Sequence, residues 1–298
     1  MQPSKQLDAN QLNEAAEKGG RSHWSIAWRR FRRHRLAMIG LVMMAVFATL
    51  AITAPIVAPY GMDEQDLFKI AEGPSSENWL GTDELGRDVL SRLIYGGRVS
   101  LMVGLGAALI TTLVGVVIGT TAGFFGGWVD SALMRFIDLV LAFPAIFILL
   151  ILFSIVSASV WNVILFLGLF SWMWLARVVR GELLSLKERE FVEAAHAIGA
   201  SNIRIVAQHL LPNVVAAIIV SATLAMAFNM IAEATLSFLG FGVPPSVPTW
   251  GNMLTGASGF YLRAPLLAVM PGVVLVMAIL AINFIGDGLR DAFDPQAE

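Results

Sequence analysis

Long uncharged stretches alternate with short polar ones over most of this 298-residue chain. An α-helix rises about 1.5 Å per residue, so about 20 uncharged residues cross the roughly 30 Å hydrocarbon layer of a bilayer. By that measure the pattern predicts six membrane-spanning helices. The stretches assigned to them are 36–58, 99–123, 139–176 (two spans), about 212–240, and 264–286.

The uncharged stretch from Leu139 to Ala176 is too long for a single span. Its 38 residues would form a helix about 57 Å long, nearly twice the hydrocarbon thickness, so we expect two helices. The polar residues between Ser154 and Asn162 mark the turn between them, and Pro144 is expected to kink the first of the pair.

The basic residues indicate how these spans are oriented. An even number of spans places both ends of the chain on one side of the membrane, and three quarters of the 20 lysines and arginines fall on that side. Because cytoplasmic connections are enriched in lysine and arginine, we expect both termini and the central polar segment to be cytoplasmic.

Composition supports an integral membrane protein and excludes several kinds of enzyme. Hydrophobic residues make up 57% and charged residues 14% of the chain, whereas soluble chains carry about 25% charged residues. There is no cysteine, and the four histidines are scattered without metal-ligand spacing. The chain also lacks a P-loop and a Gly-x-Ser-x-Gly nucleophile elbow. We therefore expect no catalytic site, metal or cofactor on this chain.

Aromatic and basic residues alternate just before the first span. Trp24, Trp28 and Phe31 lie at i, i+4 and i+7, among five arginines within residues 29–35. This pattern predicts a helix in the headgroup layer, with its aromatic side chains toward the membrane and its arginines toward anionic lipid. A nucleic-acid-binding arm is the alternative interpretation of the arginines.

Few charged residues lie near the spans. Arg135 and Asp138 are three positions apart at the start of the third span and are predicted to form a structural ion pair rather than a proton relay. Glu233 lies about 31 Å beyond Pro212 along the fifth helix, near the far membrane interface. A carboxylate in a span is a functional candidate by default.

The segment after the fifth span is irregular. Residues 234–262 carry no charge but contain three prolines, so we do not expect them to form a spanning helix; such backbone is buried in protein or lines a wet cavity. Together with Glu233, Asn229 and Trp250 are the candidates for the substrate path.

The polar segment 180–213 separates the fourth and fifth spans. Within it, Phe191, Ala194, Ala195 and Ile198 fall along one stripe of an α-helix. An apolar stripe at a membrane surface needs a cover, which is either lipid headgroups or another protein. The small Ala194-Ala195 pair allows the backbone of a partner to approach closely.

A turn is predicted directly after this helix. Gly199 lies where a helix ends in a left-handed residue, and a side chain there is expected to clash with the turn. Ser201 can cap the next short helix, and Pro212 fits the first turn of the fifth span.

The spacing of this segment resembles the "EAA" loop of ABC importer permeases. Glu193-Ala194-Ala195 is followed by Gly199 and then by Leu211-Pro212. In that family the loop is the cytoplasmic coupling helix that docks on the ATPase subunit. The resemblance thus assigns ATPase coupling to Glu193, Ala194, Ala195, Gly199, Leu211 and Pro212.

Four further stretches resemble the second ("C-type") permease subunit of dipeptide and oligopeptide ABC importers. They are Leu80 to Arg92, Gly126 to Asp138, Leu236 to Leu254 and Asn283 to Pro295. With the coupling segment they span essentially residues 25–295. Thr249, where many relatives have Glu, and Phe293, where Leu is usual, are minor departures.

The resemblance implies an all-α integral membrane protein with six transmembrane helices, a type I ABC importer transmembrane domain with a cytoplasmic coupling helix. Its five-helix core is expected at 98–287, preceded by a cytoplasmic segment (1–35), a first span (36–58) and an extracytoplasmic loop (59–97), and followed by a cytoplasmic tail (288–298). The implied partners are a homologous B-type permease, two ATPase subunits that bind ATP and Mg²⁺, and an extracytoplasmic solute-binding protein. The implied location is the bacterial cytoplasmic membrane.

Substrate and energy source stay open at this point. Members of the family carry dipeptides, oligopeptides, glutathione, nickel chelates or oligosaccharides, and the stretch from Ser171 to Gly181 is most similar to the oligopeptide branch. An ion-coupled secondary transporter is the competing class. It requires paired sites in two related repeats, and no such repeat is evident.

Overall fold

The computed structural model describes the backbone of residues 23–260 and 262–293, and the side chains from residue 27 onward within them. This part of the chain is helical apart from loops and one isolated bridge between Thr82 and Asp88. Its helices are α1 (His23–Arg33), α2 (Arg35–Ile52), α3 (Ala54–Val57), α4 (Val89–Phe125), α5 (Gly127–Leu141), α6 (Ala145–Ile155), α7 (Val160–Leu186), α8 (Glu190–Ala197), α9 (Asn202–Phe238), α10 (Trp250–Ala257) and α11 (Leu266–Phe293).

Five helices in the described part of the chain are long and apolar enough to cross a membrane: α2, α4, α7, α9 and α11. The pair α5 and α6 passes the same test together but is bent by 77°, which makes six spans when the pair counts as one. The all-helical fold with six spans is therefore confirmed.

The break between α5 and α6 is sharper than predicted. The chain leaves the helix after Leu141, and Pro144 is the N-cap of α6 rather than a kink inside a helix. Proline has no N–H to donate, and it disfavours the helical conformation of the residue before it. The helix therefore ends and restarts instead of bending.

Helix α4 begins ten residues before the predicted span. Asp88 caps it, and its carboxylate accepts a hydrogen bond from the Ser91 backbone N–H at 2.8 Å. The extra turns contain Arg92, whose side chain is buried against Asp83 at 3.3 Å. A charge that looks external in the sequence thus lies inside the fold.

Helices α4 and α7 form the most extensive helix pair of the described structure. Three glycines of α4 lie where the two backbones approach. A Cβ atom added to Gly119 would lie 2.5 Å from the Ala176 carbonyl oxygen, and one added to Gly115 or Gly123 would lie 2.7 Å or 2.9 Å from a leucine of α7. Small residues permit such close approach of helices in lipid, so the glycine stripe serves packing within the chain. Gly127, at the end of the stripe, instead starts α5 with φ +56°.

The N-terminal helix α1 packs differently from the prediction. Phe31 is buried against Ala37 of α2 and Ala292 of α11, whereas Trp28 is 56% exposed. Phe31 thus packs inside the protein, because apolar residues at the end of α11 contact it, whereas Trp28 faces outward. The side chain of Trp24, which was assigned to the membrane side, lies outside the described residues.

The fifth span begins earlier than predicted. Helix α9 starts at Asn202, and residues Ile205–Leu210 form a π-helical segment within it. In this segment the Leu211 N–H donates to the Val206 carbonyl, five residues back. Pro212 lies just after the segment, in the first turn of the α-helical part Leu211–Phe238, as predicted. We attribute the wider turn to Pro212, which cannot donate the ordinary helical hydrogen bond.

Candidate functional site

The turn after α8 has the predicted left-handed geometry. Gly199 has φ +80°, its N–H donates to the His196 carbonyl at 2.9 Å, and the Ala200 N–H donates to the Ala195 carbonyl at 3.1 Å. These two bonds define a Schellman motif, in which a glycine in the left-handed conformation closes the helix. The expected clash is absent, because a Cβ atom on Gly199 would meet no atom within 4 Å. The strain of a side chain there would come from the backbone conformation alone.

Helix α8 has one buried and one open face. Val192 and Ala195 are buried in a cluster with residues of α7 and α9. Of the predicted stripe only Ala195 is buried: Ala194 is exposed, Phe191 is 40% exposed and Ile198 is 85% exposed. The rest of the chain therefore covers the face of α8 that carries Val192 and Ala195. The face that carries Phe191, Ala194 and Ile198 is left exposed.

The remaining residues assigned to coupling differ in exposure. The side chain of Glu193 is exposed on α8, as is that of Pro212 on α9, while Leu211 is half-buried. Ser201 occupies the N-cap position of α9 in extended conformation, but its hydroxyl makes no capping hydrogen bond.

Two ion pairs join α5 to α7 just before this segment. Arg180 binds Asp130 through both its Nε and its Nη2, and Arg177 binds Asp138. The predicted pair between Arg135 and Asp138 is therefore wrong. Asp138 lies on the face of α5 that meets α7. It therefore pairs with Arg177, 39 positions away in the sequence, and not with Arg135 on its own helix.

The three candidates for the substrate path are buried. Glu233 and Asn229 are 0% exposed and Trp250 is 2% exposed. The Asn229 side-chain oxygen accepts from the Ser171 hydroxyl at 2.7 Å, and the Trp250 indole N–H donates to the Leu93 carbonyl at 3.0 Å. In this arrangement they hold helices together, and their place on a substrate path stays a prediction.

Glu233 is the centre of a polar cluster between α4, α9 and α10. Its Oε1 accepts from the Ser237 hydroxyl at 2.8 Å, and the hydroxyls of Ser100 and Thr249 also face the carboxyl group. Within the described residues, Glu233 Oε2 has no hydrogen-bond partner. Thr249 also caps α10 in a reciprocal capping box with Asn252, which explains why a short hydroxyl suits this position.

Sequence reasoning missed a second buried charge cluster in the loop before α4. Arg87 binds Asp83 at 2.7 Å and Glu84 at 2.9 Å, and Arg92 approaches the same Asp83 Oδ2 atom at 3.3 Å. These residues line a cavity of about 240 Å³ that reaches Ser237 and α10. The density of charges between residues 83 and 92 was the available signal, and it indicated exposure rather than burial.

The fold and this segment together define a class of protein: a helical membrane domain with a short connecting helix that presents an open apolar face. Family models give the class a name. The model for the binding-protein-dependent transport system inner membrane component matches residues 115–298, and the model for the N-terminal transmembrane domain of oligopeptide transport permease C matches residues 22–74.

Individual relatives agree with the family models. A Brucella suis protein that carries the name of a peptide permease is 42% identical over 90% of both chains. The dipeptide transport system permease protein DppC of Alkalihalophilus pseudofirmus is 38% identical over 92% of this chain and 90% of its own. The glutathione transport system permease protein GsiD of Pectobacterium atrosepticum is 37% identical over 94% of this chain and 93% of its own.

A solved structure supports the fold. A chain of the MetNI methionine ABC transporter matches 68% of this chain and 96% of its own length, with a TM-score of 0.57 and 20% identity. The protein described here belongs to the family of binding-protein-dependent transport system inner membrane components. It is a permease subunit of an ABC transporter and a multi-pass membrane protein.

Proposed function

We propose that this permease is the C-type membrane subunit of an ATP-driven importer of peptides, and that α8 is its coupling helix. The observation that carries the proposal is the open apolar face of α8, which Phe191, Ala194 and Ile198 form beside the exposed Glu193. An exposed apolar patch rimmed by polar groups is typical of a protein interface. The family supplies a partner for it in the ATPase subunit.

The attachment of α8 suits the transfer of motion. Its buried face, Val192 and Ala195, packs with Leu183 of α7 and with Ile205 and Leu210 of α9. Because close-packed side chains transmit displacement rather than absorb it, a shift of α8 moves both helices. The Asp130–Arg180 and Asp138–Arg177 ion pairs link α5 to α7, so α5 moves together with α7. In this mechanism ATP closes the ATPase dimer, and these helices open the path to each side in turn.

The complete transporter proposed here contains a B-type permease, two ATPase subunits that hold ATP and Mg²⁺, and an extracytoplasmic solute-binding protein. The chain itself carries no catalysis, and both of its termini lie in the cytoplasm of a bacterium. The names of its relatives favour a peptide cargo. Glutathione, itself a small peptide, is the second candidate, because a relative of similar identity is named for it.

Reversing the charge of Glu193 is expected to release the ATPase. The tagged chain should co-purify with an ATPase and a second permease, and Glu193→Lys should reduce the recovered ATPase at least tenfold. A charge that is reversed inside an interface is left unpaired, which costs roughly 2–5 kcal/mol, and about 1.4 kcal/mol is tenfold in affinity. Pull-down from detergent followed by an ATPase assay measures this.

Glu72→Lys is the matched control, since Glu72 is also exposed and lies on the loop expected on the other side of the membrane. It should leave the recovery of the ATPase unchanged. A chain that purifies alone and transports without ATP would instead support an ion-coupled carrier. The cargo of the co-purifying solute-binding protein would identify the substrate.

The Gly199 turn is expected to be essential for coupling but not for insertion. An L-residue in the left-handed region costs about 1–2 kcal/mol, and a β-branched side chain is the least tolerated there. Gly199→Val should thus reduce ATP-driven uptake at least tenfold in vesicles with normal amounts of the protein. Gly199→Asn should keep most of the uptake, because asparagine accepts this conformation. Normal uptake by the valine variant would show that the turn is not needed.

A further inference from the structure

The outward face of α1 is basic. On a helix with 100° between successive residues, Arg29, Arg32 and Arg33 fall within one arc of about 100°. This arc lies opposite Ala27 and Phe31, the two residues that pack against the protein. The side chains of Arg29, Arg32 and Arg33 are exposed. The helix is therefore held by its apolar face while its guanidinium groups point away.

These guanidinium groups lack acidic partners in the part of the chain that the structure describes. None of Arg29, Arg32 and Arg33 forms a salt bridge there. Asp291, at the end of α11 near this helix, pairs with His34 at 3.4 Å instead. Three neighbouring cations that have no counter-charge among the described residues attract an anion.

The position of α1 places its arginines at headgroup depth. Helix α2 starts directly afterwards at Arg35, and its side chains Leu36, Ile39 and Val42 are 49%, 50% and 58% exposed. Only 17% of its span is buried within the chain. The basic face thus lies directly before the exposed apolar start of a membrane span, where phosphate groups of the bilayer lie within reach.

An apolar cleft opens on the side of α1 that carries Trp28, one turn before Arg32 at the edge of the basic arc. It has a volume of about 110 Å³ between α1, the first half of α9 and the end of α11. Trp28, 56% exposed and stacked on Phe31 at 5.8 Å, forms one wall, and Ile219 and Leu289 form others. A cleft of this kind accepts part of an acyl chain and offers nothing to a nucleic acid or to a free phosphate.

We propose that the basic face of α1 and this cleft form a binding site for an anionic phospholipid. The arginines bind the phosphate, for which the planar guanidinium fork is well matched, and the cleft receives the first methylene groups of an acyl chain. The site joins α1, α9 and α11. A bound lipid would therefore hold the N-terminal helix against the helix that leads out of the coupling segment.

Native mass spectrometry of the full-length protein, titrated with phosphatidylglycerol and phosphatidylcholine, tests the proposal. We expect phosphatidylglycerol to bind at least tenfold more tightly. The triple variant Arg29→Gln, Arg32→Gln, Arg33→Gln should lose about a hundredfold, since each arginine near an anionic surface contributes roughly fivefold. The corresponding lysine variant, which keeps the charge, should recover most of the binding.

The matched control removes three exposed arginines elsewhere, through Arg98→Gln, Arg135→Gln and Arg263→Gln. It should change lipid binding less than twofold. Ile219→Trp, which fills the cleft, should weaken phosphatidylglycerol binding but leave any binding of glycerol phosphate unchanged. This separates a lipid site from a phosphate site.

Three results would overturn the proposal: equal binding of the two lipids, equal losses in the α1 and control triple variants, or displacement of the lipid by an oligonucleotide. Folding of each variant is checked by its elution as a single species. Because the measurement uses lipid binding alone, its outcome does not depend on whether the chain imports peptides.

Discussion

Gly119→Leu is expected to prevent accumulation of the folded protein. A Cβ atom at this position would lie 2.5 Å from the Ala176 carbonyl oxygen and 2.8 Å from the Val179 Cβ. Both neighbours are fully buried, and one of the contacted atoms belongs to the backbone, so neither can rotate away. Overpacking costs about 1–3 kcal/mol where side chains can adjust. Here α4 and α7 must separate along their whole contact, which costs more.

Size-exclusion chromatography of a fluorescent fusion measures this effect. The variant should elute as aggregate, whereas Gly181→Leu should elute like the parent protein. Gly181 lies on α7, in the same helix pair, but a Cβ atom there would meet nothing within 4 Å. Gly119→Leu protein that elutes normally and melts at the parent temperature would mean that the glycine stripe is not needed for the α4–α7 contact.

The number of spans could be predicted from the sequence because it depends on length and charge alone. The stretch from Leu139 to Ala176 had to contain a turn, and the structure places it between Ile155 and Val160. The left-handed turn at Gly199 was equally accessible, because glycine after an amphipathic helix has few other uses. Both features depend only on residues that are close together in the sequence, so they could be predicted from it.

Partners distant in sequence could not be predicted in this way. Asp138 was assigned to Arg135 because only neighbours on one helix can be paired from a sequence, whereas the fold brings Arg177 to it. Arg92 was placed outside the membrane helix because an arginine without a partner favours water. In the structure its charge is buried beside the Asp83 carboxylate, which offsets the cost of removing it from water. The surroundings of Glu233 were missed for the same reason, because two of the three hydroxyl groups that face it, those of Ser100 and Thr249, come from other elements.

The hydroxyl groups around Glu233 indicate why this carboxyl group is needed. The Ser100 hydroxyl oxygen accepts from the Trp250 N–H at 3.1 Å, and that of Thr249 accepts from the Asn252 N–H at 3.0 Å. The third hydroxyl, of Ser237, accepts from the Val243 N–H at 3.3 Å. Each hydroxyl therefore still has a hydrogen to donate.

Glu233 is the shared acceptor that these three hydroxyl groups face. Through them it fixes the irregular segment between α9 and α10, because each hydroxyl also holds one backbone N–H of that segment or of α10. The carboxyl group is thus a structural acceptor at the junction of α4, α9 and α10. The role in substrate binding that its place in a span suggested stays a prediction.

Glu233→Ala is consequently expected to destabilise this junction strongly. It removes the acceptor of the buried Ser237 hydroxyl, which costs about 1–3 kcal/mol when left unsatisfied, and it opens a cavity at a fully buried site. We expect a fall in melting temperature of the detergent-purified protein and loss of ATP-driven uptake. Glu233→Gln keeps one oxygen acceptor and should lie between the two. Glu182→Ala, at an exposed site on α7, should have no effect.

A double-mutant cycle distinguishes this structural role from substrate binding. If Glu233 acts through its hydroxyl partners, Glu233→Gln and Ser237→Ala should be non-additive in thermal stability, with a coupling of about 0.5–3 kcal/mol, as is found for residues in one hydrogen-bond network. A residue that contacts only substrate would show no coupling in the empty protein, and its variants would change uptake at unchanged stability. That second pattern would return Glu233 to the substrate path and remove it from the junction of α4, α9 and α10.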